Sequence, residues 1–351
     1  MQNLNIAVVP GDGIGNEIVA EGQRVLDEAA KQHGFALQYT NFPYGAGHYK
    51  KTGEFMPPDA LDTLKGYDAI YFGAVGLPDV DDRLPATKYT FRVRKGFQQY
   101  VNYRPIKLIP GLEGPLRKAD PEKVDFVIVR ENTEGEFSET GNIVNGESPE
   151  GLALQHSIFT RKGIERIAHY AFRLAQKRRK HVTNVTKSNT LIHSMYYWDQ
   201  IFMEIAAQYP DVTYQPMYVD NASANFVLRP EIFDVLVTTN MIGDILSDLG
   251  GAIMGSLGLG PSGNINPEKD YPSMFEPIHG SAPDIMGKGI ANPISAIWSG
   301  ALMLDHLGQA AAAQQIEKAI FATLQGGVLP ADLGGGAKTT EITDAIIEAL
   351  A

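Results

Sequence analysis

Asp244 and Asp248 stand four residues apart in the stretch Thr238-Thr239-Asn240-Met241-Ile242-Gly243-Asp244-Ile245-Leu246-Ser247-Asp248-Leu249-Gly250-Gly251. The run Asp234-Val235-Leu236-Val237-Thr238-Thr239 before it reads as a buried strand, and Asn240 is a suitable N-cap for a following helix. On that helix the two carboxylates share one face, where like charges repel by roughly 0.2–0.5 kcal/mol. No Lys or Arg lies between Asn240 and Gly251 to neutralise them, so a bound cation would supply the missing charge. Oxygen ligands suit a hard ion such as Mg2+ or Mn2+, and a chain without cysteine has no thiolate to offer zinc. The plain alternative is that Asp244 favours the helix dipole and Asp248 faces water. Asp220, after a strand predicted over Tyr214 to Val219, is a third carboxylate available to such a site.

Three arginines could supply the complementary charge. Arg94 falls in a basic, partly amphipathic helix predicted over Thr87 to Tyr100, Arg104 just beyond it, and Arg130 at the end of a strand over Asp125 to Val129. Arginine forks bind carboxylates in bidentate geometry, and a dicarboxylic substrate needs several of them. Taken singly, each Arg also fits a surface ion pair. Lys187 closes the strand Val182 to Val185 and its Thr186-Lys187-Ser188-Asn189 turn. A partly desolvated Lys beside carboxylates and a metal can act as a general acid or base, although a lone Lys is more often structural or solvated.

The elements that must hold these groups alternate between strand and helix. Asn5 to Val9 reads as a strand, Pro10-Gly11-Asp12-Gly13-Ile14-Gly15 as a tight loop, and Asn16 onward as an amphipathic helix. The spacing G-x-G-x-G falls short of the dinucleotide fingerprint G-x-G-x-x-G, which argues against a Rossmann fold. A second strand, Ala69 to Phe72, runs into Gly73-Ala74-Val75-Gly76 at the strand end, where open α/β sheets bind ligands. Gly141 to Gly151 has the composition of an exposed arm or hairpin, and a helix is predicted over Leu191 to Ala207. Gly255 to Gly263 and the polar stretch Phe275 to Ile285 read as loops. Helices are predicted over Pro293 to Leu307, over Gln309 to Leu324 and from Thr340.

The 351 residues, with 30 Lys and Arg against 41 Asp and Glu, give a formal net charge of −11, which opposes a polyanion-binding surface. The basic run Lys177-Arg178-Arg179-Lys180-His181 reads as a solvated helix end. Absent cysteine removes disulfides and thiol chemistry, and no apolar run approaches membrane-spanning length. The expectation is a cytoplasmic protein with no membrane or nucleic-acid partner.

Six motifs carry a resemblance that spans nearly the whole chain: Pro10 to Gly15, Arg94 with Asn102-Tyr103-Arg104-Pro105, Val129-Arg130-Glu131-Asn132-Thr133-Glu134-Gly135-Glu136, Thr186 to Asn189, Asn240 to Asp248, and His279-Gly280-Ser281-Ala282-Pro283-Asp284. Together they resemble the metal-dependent β-decarboxylating dehydrogenases, which include the isocitrate, isopropylmalate, homoisocitrate and D-malate/tartrate enzymes. The resemblance implies an isopropylmalate dehydrogenase-like two-domain α/β sandwich, not a Rossmann fold, assembled as a homodimer. Residues 1–101 and 256–351 would form a discontinuous cofactor domain, and 102–255 a substrate, metal and dimerisation domain. Carried over by position, Arg94, Arg104 and Arg130 would clamp substrate carboxylates, and Asp220, Asp244 and Asp248 would hold Mg2+ or Mn2+. Lys187 and Asp220 would be catalytic, with lysine and one carboxylate reaching across the dimer interface. Glu276, His279, Gly280, Ser281, Ala282, Asp284, Ile285 and Asn292 would line the cofactor pocket. Asp284 can accept from ribose hydroxyls and would repel a 2′-phosphate, which favours NAD over NADP.

The implied reaction oxidises a 2-hydroxy diacid at C2, releases the β-carboxylate as CO2 and protonates the remaining enolate at C3. Where the family has a proton-donating Tyr, this chain has Phe137, which carries no such proton. The segment facing the C3 substituent, Thr87-Lys88-Tyr89-Thr90-Phe91, matches neither the Leu-Leu pair of the isopropylmalate branch nor the Ser and Asn of the isocitrate branch. Thr90 and Lys88 are the substrate-facing candidates there. The general run is closest to the D-malate/tartrate branch, with 3-substituted malates as the alternative substrates. A catalytically weak or regulatory subunit on the same scaffold is the alternative class.

Overall fold

Alternating apolar runs and glycine turns give this chain one long mixed sheet. In the computed structural model, which describes residues 2–117 and 119–351, the strands are β1 (Gln2–Gly11), β2 (Phe35–Asn41), β3 (Ala69–Ala74), β4 (Val101–Lys107), β5 (Asp125–Glu131), β6 (Gly141–Val144), β7 (Leu152–Gln155), β8 (His181–Thr186), β9 (Thr213–Tyr218), β10 (Val235–Thr238), β11 (Pro261–Ile265) and β12 (Ser273–Pro277). Ten of them form a single sheet in the order β2-β1-β3-β12-β11-β4-β5-β10-β8-β9, and β6 and β7 pair as a separate, fully exposed hairpin. The outer pairs are parallel, whereas β12-β11-β4-β5 at the centre are antiparallel. The principal helices are α1 (Gly15–His33), α2 (Phe91–Gly96), α3 (Arg161–Gln176), α4 (Ser194–Ala206), α5 (Val219–Leu228), α6 (Asn240–Met254), α7 (Ile294–His306), α8 (Ala310–Gln325) and α9 (Thr339–Ala349). Among the described residues no helix is long and apolar enough to cross a membrane.

Strand periodicity explains the cores. In β5, Phe126 and Ile128 join one cluster while Val127 and Val129 join another, and in β1 Val8 and Val9 divide in the same way. At the centre of the sheet the same alternation places polar residues together. Directly opposed residues of antiparallel strands share a face. Asn264 opposes Asn102, Asn102 opposes Arg130, and Ser262 opposes Glu276, so these residues and Arg104 form one polar stripe across four strands.

Several expectations need correction. The helix predicted over Thr87 to Tyr100 is a π-helical turn, Ala86–Thr90, running into the short α2. Thr239, not Asn240, is the N-cap residue of α6. Asp220 lies in the first turn of α5, after β9 has ended at Tyr218. The segments read as glycine-rich and polar loops contribute β11 and β12, because burial at the sheet centre overrides their weak strand propensity.

Candidate active site

Helix α6 covers the polar stripe, and glycine lets it do so closely. A Cβ at Gly243 would sit 2.7 Å from the Cβ and Cγ of Arg130, so the absent side chain gives the Arg130 stem its place. Arg130 Nε donates to Asn240 Oδ1 at 2.9 Å and Nη1 to Asp244 Oδ1 at 2.5 Å. Asn240, Gly243 and Asp244 thus grip one guanidinium from one helix face. Asn240 also donates to the Glu134 carbonyl, which explains why its side chain does not cap the helix. That task falls to Glu136, whose carboxylate accepts from Met241 N at 3.2 Å and from the Thr239 hydroxyl at 2.7 Å.

Arg104 donates to the Ser247 hydroxyl and lies 3.9 Å from both Asp244 and Asp248. The carboxylate pair is therefore neutralised from β4 and β5, not from within its own helix. Burial works to raise the Asp244 carboxyl, but Arg130, Arg104 and Arg94 outweigh it and hold the group below its ordinary value. Burial and the neighbouring Asp244 carry Asp248 the other way, above its ordinary value. Both carboxylates remain about half exposed, at 47% and 59%, so their oxygens face the cleft.

The third arginine has a different partner. Arg94 Nη2 donates to Glu276 Oε1 at 2.8 Å, with both side chains under 10% exposed. Asn264 donates to the same oxygen at 2.6 Å and accepts from Asn102 at 3.0 Å and Asn132 at 2.9 Å. Asn102 donates onward to Ser262, which also accepts from Arg104 Nε at 3.3 Å. A buried hydrogen-bond chain thus ties Arg94 to Arg104 through Glu276 and Asn264. The sequence reading missed Asn264, Ser262, Ser247 and Asn132 as supports. Asn264, Ser262 and Asn132 lie in or beside strands whose partners no local pattern reveals, and Ser247 reaches them from α6, so only the tertiary pairing brings the four together.

Lys187 and Asp220 form an ion pair with each other, and Lys187 holds the Asp220 carboxyl below its ordinary value. Among the described residues, no three His, Asp or Glu side chains are gathered closely enough to hold a metal ion. Within one chain, then, Asp244 and Asp248 meet while Asp220 stays with Lys187. Lys88 is exposed and lines a cavity of about 670 Å³ with Arg92, Lys95 and Tyr49. A second cavity, of about 780 Å³, is bordered by Thr87, Phe91, Glu136, Phe137 and Met241, so Thr87 and Phe91 line it where the sequence had singled out Thr90.

Of the residues assigned to a cofactor, Ser281, Ala282 and Ile285 lie against the first glycine loop and α1, whereas Glu276 belongs to the polar stripe. Gly13 has a left-handed φ of 59°, and a Cβ there would lie 1.9 Å from the Ser281 carbonyl oxygen. Ile14 N donates to that oxygen at 2.8 Å. His279 keeps a buried Nε2 without a hydrogen-bond partner, and burial holds its imidazole below the ordinary value. Such a nitrogen fits a ligand that brings its own polar atom. Asn292 is engaged, donating to Asp332 and accepting from Ile294 N at the start of α7, whereas Asp284 is exposed.

The family described as isocitrate/isopropylmalate dehydrogenase matches residues 5–346. A protein named tartrate dehydrogenase/decarboxylase from Pseudomonas putida is 48% identical, covering 99% of this chain and 98% of its own. One named D-malate dehydrogenase [decarboxylating] from Escherichia coli (strain K12) is 47% identical, with the same coverage of 99% and 98%. The crystal structure of isocitrate dehydrogenase from Methylococcus capsulatus superposes with a TM-score of 0.89 at 35% identity, covering 100% of this chain and 99% of that one.

Proposed function

We propose, since the chain belongs to the isocitrate/isopropylmalate dehydrogenase family, that it is a decarboxylating dehydrogenase acting on a D-malate-type 2-hydroxy diacid, D-malate or a tartrate, with NAD and Mg2+ or Mn2+. The observation that carries this reading is the meeting of Asp244 and Asp248 with Arg104 and Arg130 on one polar stripe. Such a stripe suits a diacid, because guanidinium groups take carboxylates while the paired Asp oxygens suit a hard cation.

In this reading Arg94, Arg104 and Arg130 bind the substrate carboxylates and fix its orientation. A divalent cation at Asp244 and Asp248 would polarise the 2-hydroxyl and the carbonyl formed from it. NAD, held by Glu276, His279, Asp284 and their neighbours, would accept the hydride from C2. Lys187, paired with Asp220, moves the hydroxyl proton. Phe137 has no proton to give C3, so the donor there is another group, with Lys187 through a water the nearest chemical substitute.

A homodimer belongs to this proposal, with Lys187 and Asp220 of one subunit serving the site of the other. The exposed Ile143, Leu152 and Leu154 of the hairpin and Tyr196 and Met203 of α4 support it, since apolar side chains of that size seek cover. The division into 1–101 with 256–351 and 102–255 belongs to the same proposal.

The test is NADH formation with Mg2+ or Mn2+ across D-malate, the tartrates, 3-isopropylmalate, isocitrate and homoisocitrate, repeated with NADP and after chelation. D-malate or a tartrate should give the highest kcat/KM, with NAD preferred and no turnover after chelation. Faster turnover of a branched or tricarboxylic substrate overturns the substrate, and full activity in chelator overturns the metal.

A further inference from the structure

Phe137 does more than omit a hydroxyl. Its ring stacks on Phe91 with centroids 5.7 Å apart and planes 22° apart. The Arg130 guanidinium carbon lies over the same ring, 5.8 Å from its centroid. On the far side Lys95 Nζ stands 5.6 Å from the Phe91 centroid and reaches Glu139 Oε2 at 2.5 Å. Phe91 and Lys95 are one helical turn apart on α2, and Phe137 and Glu139 are two residues apart in the loop after β5. Two contacts therefore fasten α2 to that loop, and Phe137 in one of them lies against Arg130.

From this we infer that Phe137 is a positioning residue for Arg130, with Phe91 as its backing. The guanidinium has partners on only part of its edge, Asn240 and Asp244, and both lie on α6. Nothing polar from that helix limits its motion toward the cleft. An aromatic face within about 6 Å attracts a cation and accepts it flat, so the ring restricts motion out of the guanidinium plane while leaving an edge free for a carboxylate. The ring is itself fixed, because the adjacent Glu136 is bound to Thr239 and Met241 at the start of α6. A phenyl ring meets this demand as well as a phenol does. The inference rests on the proposed binding of a diacid by Arg130.

The test compares Phe137→Leu, Phe91→Leu and Phe137→Tyr with the parent, using D-malate, Mg2+ and saturating NAD. Loss of the platform should raise KM for D-malate about tenfold in Phe137→Leu and several-fold in Phe91→Leu, with kcat changed less than threefold. Phe137→Tyr should keep the parent KM, whatever it does to kcat. Calorimetric titration of D-malate with Mg2+ and no NAD gives the same ranking without turnover. An unchanged KM and unchanged binding in both Leu variants overturns the inference, as does a Tyr variant that weakens binding like Leu. If Phe137→Leu does not fold, Phe91→Leu, which alters a partly exposed ring, decides alone. Failure of the parent to bind or oxidise D-malate would instead refute the proposed function.

Discussion

Replacing Asn264 by Asp changes one NH2 into one oxygen in the middle of the sheet. Asn264 is fully buried and donates to Glu276 Oε1 at 2.6 Å, so the variant opposes two carboxylates at that distance. Both charged, they would repel by about 6 kcal/mol at an effective dielectric near 20. Binding one proton between them is cheaper. Holding that proton at pH 8 against an ordinary carboxyl near 4 costs about 1.4 kcal/mol per pH unit, or roughly 5 kcal/mol, and Arg94 beside Glu276 limits the loss further by lowering the cost of the doubly charged alternative. We expect Asn264→Asp to lose about 3–4 kcal/mol at pH 8 and only about 1–2 at pH 5. The sign follows from a carboxyl raised in the folded state, whose contribution is favourable below its folded value and lost as pH rises. Urea unfolding of both proteins across this range measures it. A variant as stable as the parent at pH 8, or a loss that does not shrink on acidification, refutes the view that Asn264 separates Glu276 from the asparagine pair.

Gly243→Ala should push the Arg130 stem aside, since the new methyl falls 2.7 Å from it. A loss of about 1–3 kcal/mol in stability and a raised KM for D-malate are expected from steady-state kinetics and unfolding. Phe137→Tyr should raise kcat, because general acid help is typically worth roughly 10²–10⁴-fold; no gain would show that another group already delivers the proton efficiently. His306, packed on Phe275 and bonded to Ser273, is held down to about 4 from 6.5 by burial, and secondarily by Lys269. Its neutral form is favoured on folding, so stability is complete above pH 6.5 and declines as pH falls toward 4. His306→Gln should flatten that part of the unfolding curve.

The parts of this site that follow helix period or strand alternation within one segment were legible in the sequence. Asp244 and Asp248 share the face foretold by their spacing, and the strand expected of Asp125 to Val129 forms, carrying Arg130 one residue before its end at Glu131. The missed parts depend on pairing between distant segments. Arg104 neutralises Asp248 only because β4 lies beside β5 and under α6, a relation that no window around either residue contains. Asn240 looked like a cap because its type suits one, yet Arg130 and Glu134 claim its side chain.

The strand order also sets a timetable for synthesis. Strand β3 ends at Ala74, but its second neighbour, β12, ends at Pro277, about 200 residues later. At 5–20 residues per second the open edge of β3 waits roughly 10–40 s on the ribosome. The wing β5-β10-β8-β9 is supplied entirely by 125–238 and can close during that wait. The first wing therefore emerges first and is completed last. An unpaired apolar edge held that long invites pairing with another nascent chain, so slowing translation before residue 277 should lower soluble yield more than slowing it afterwards.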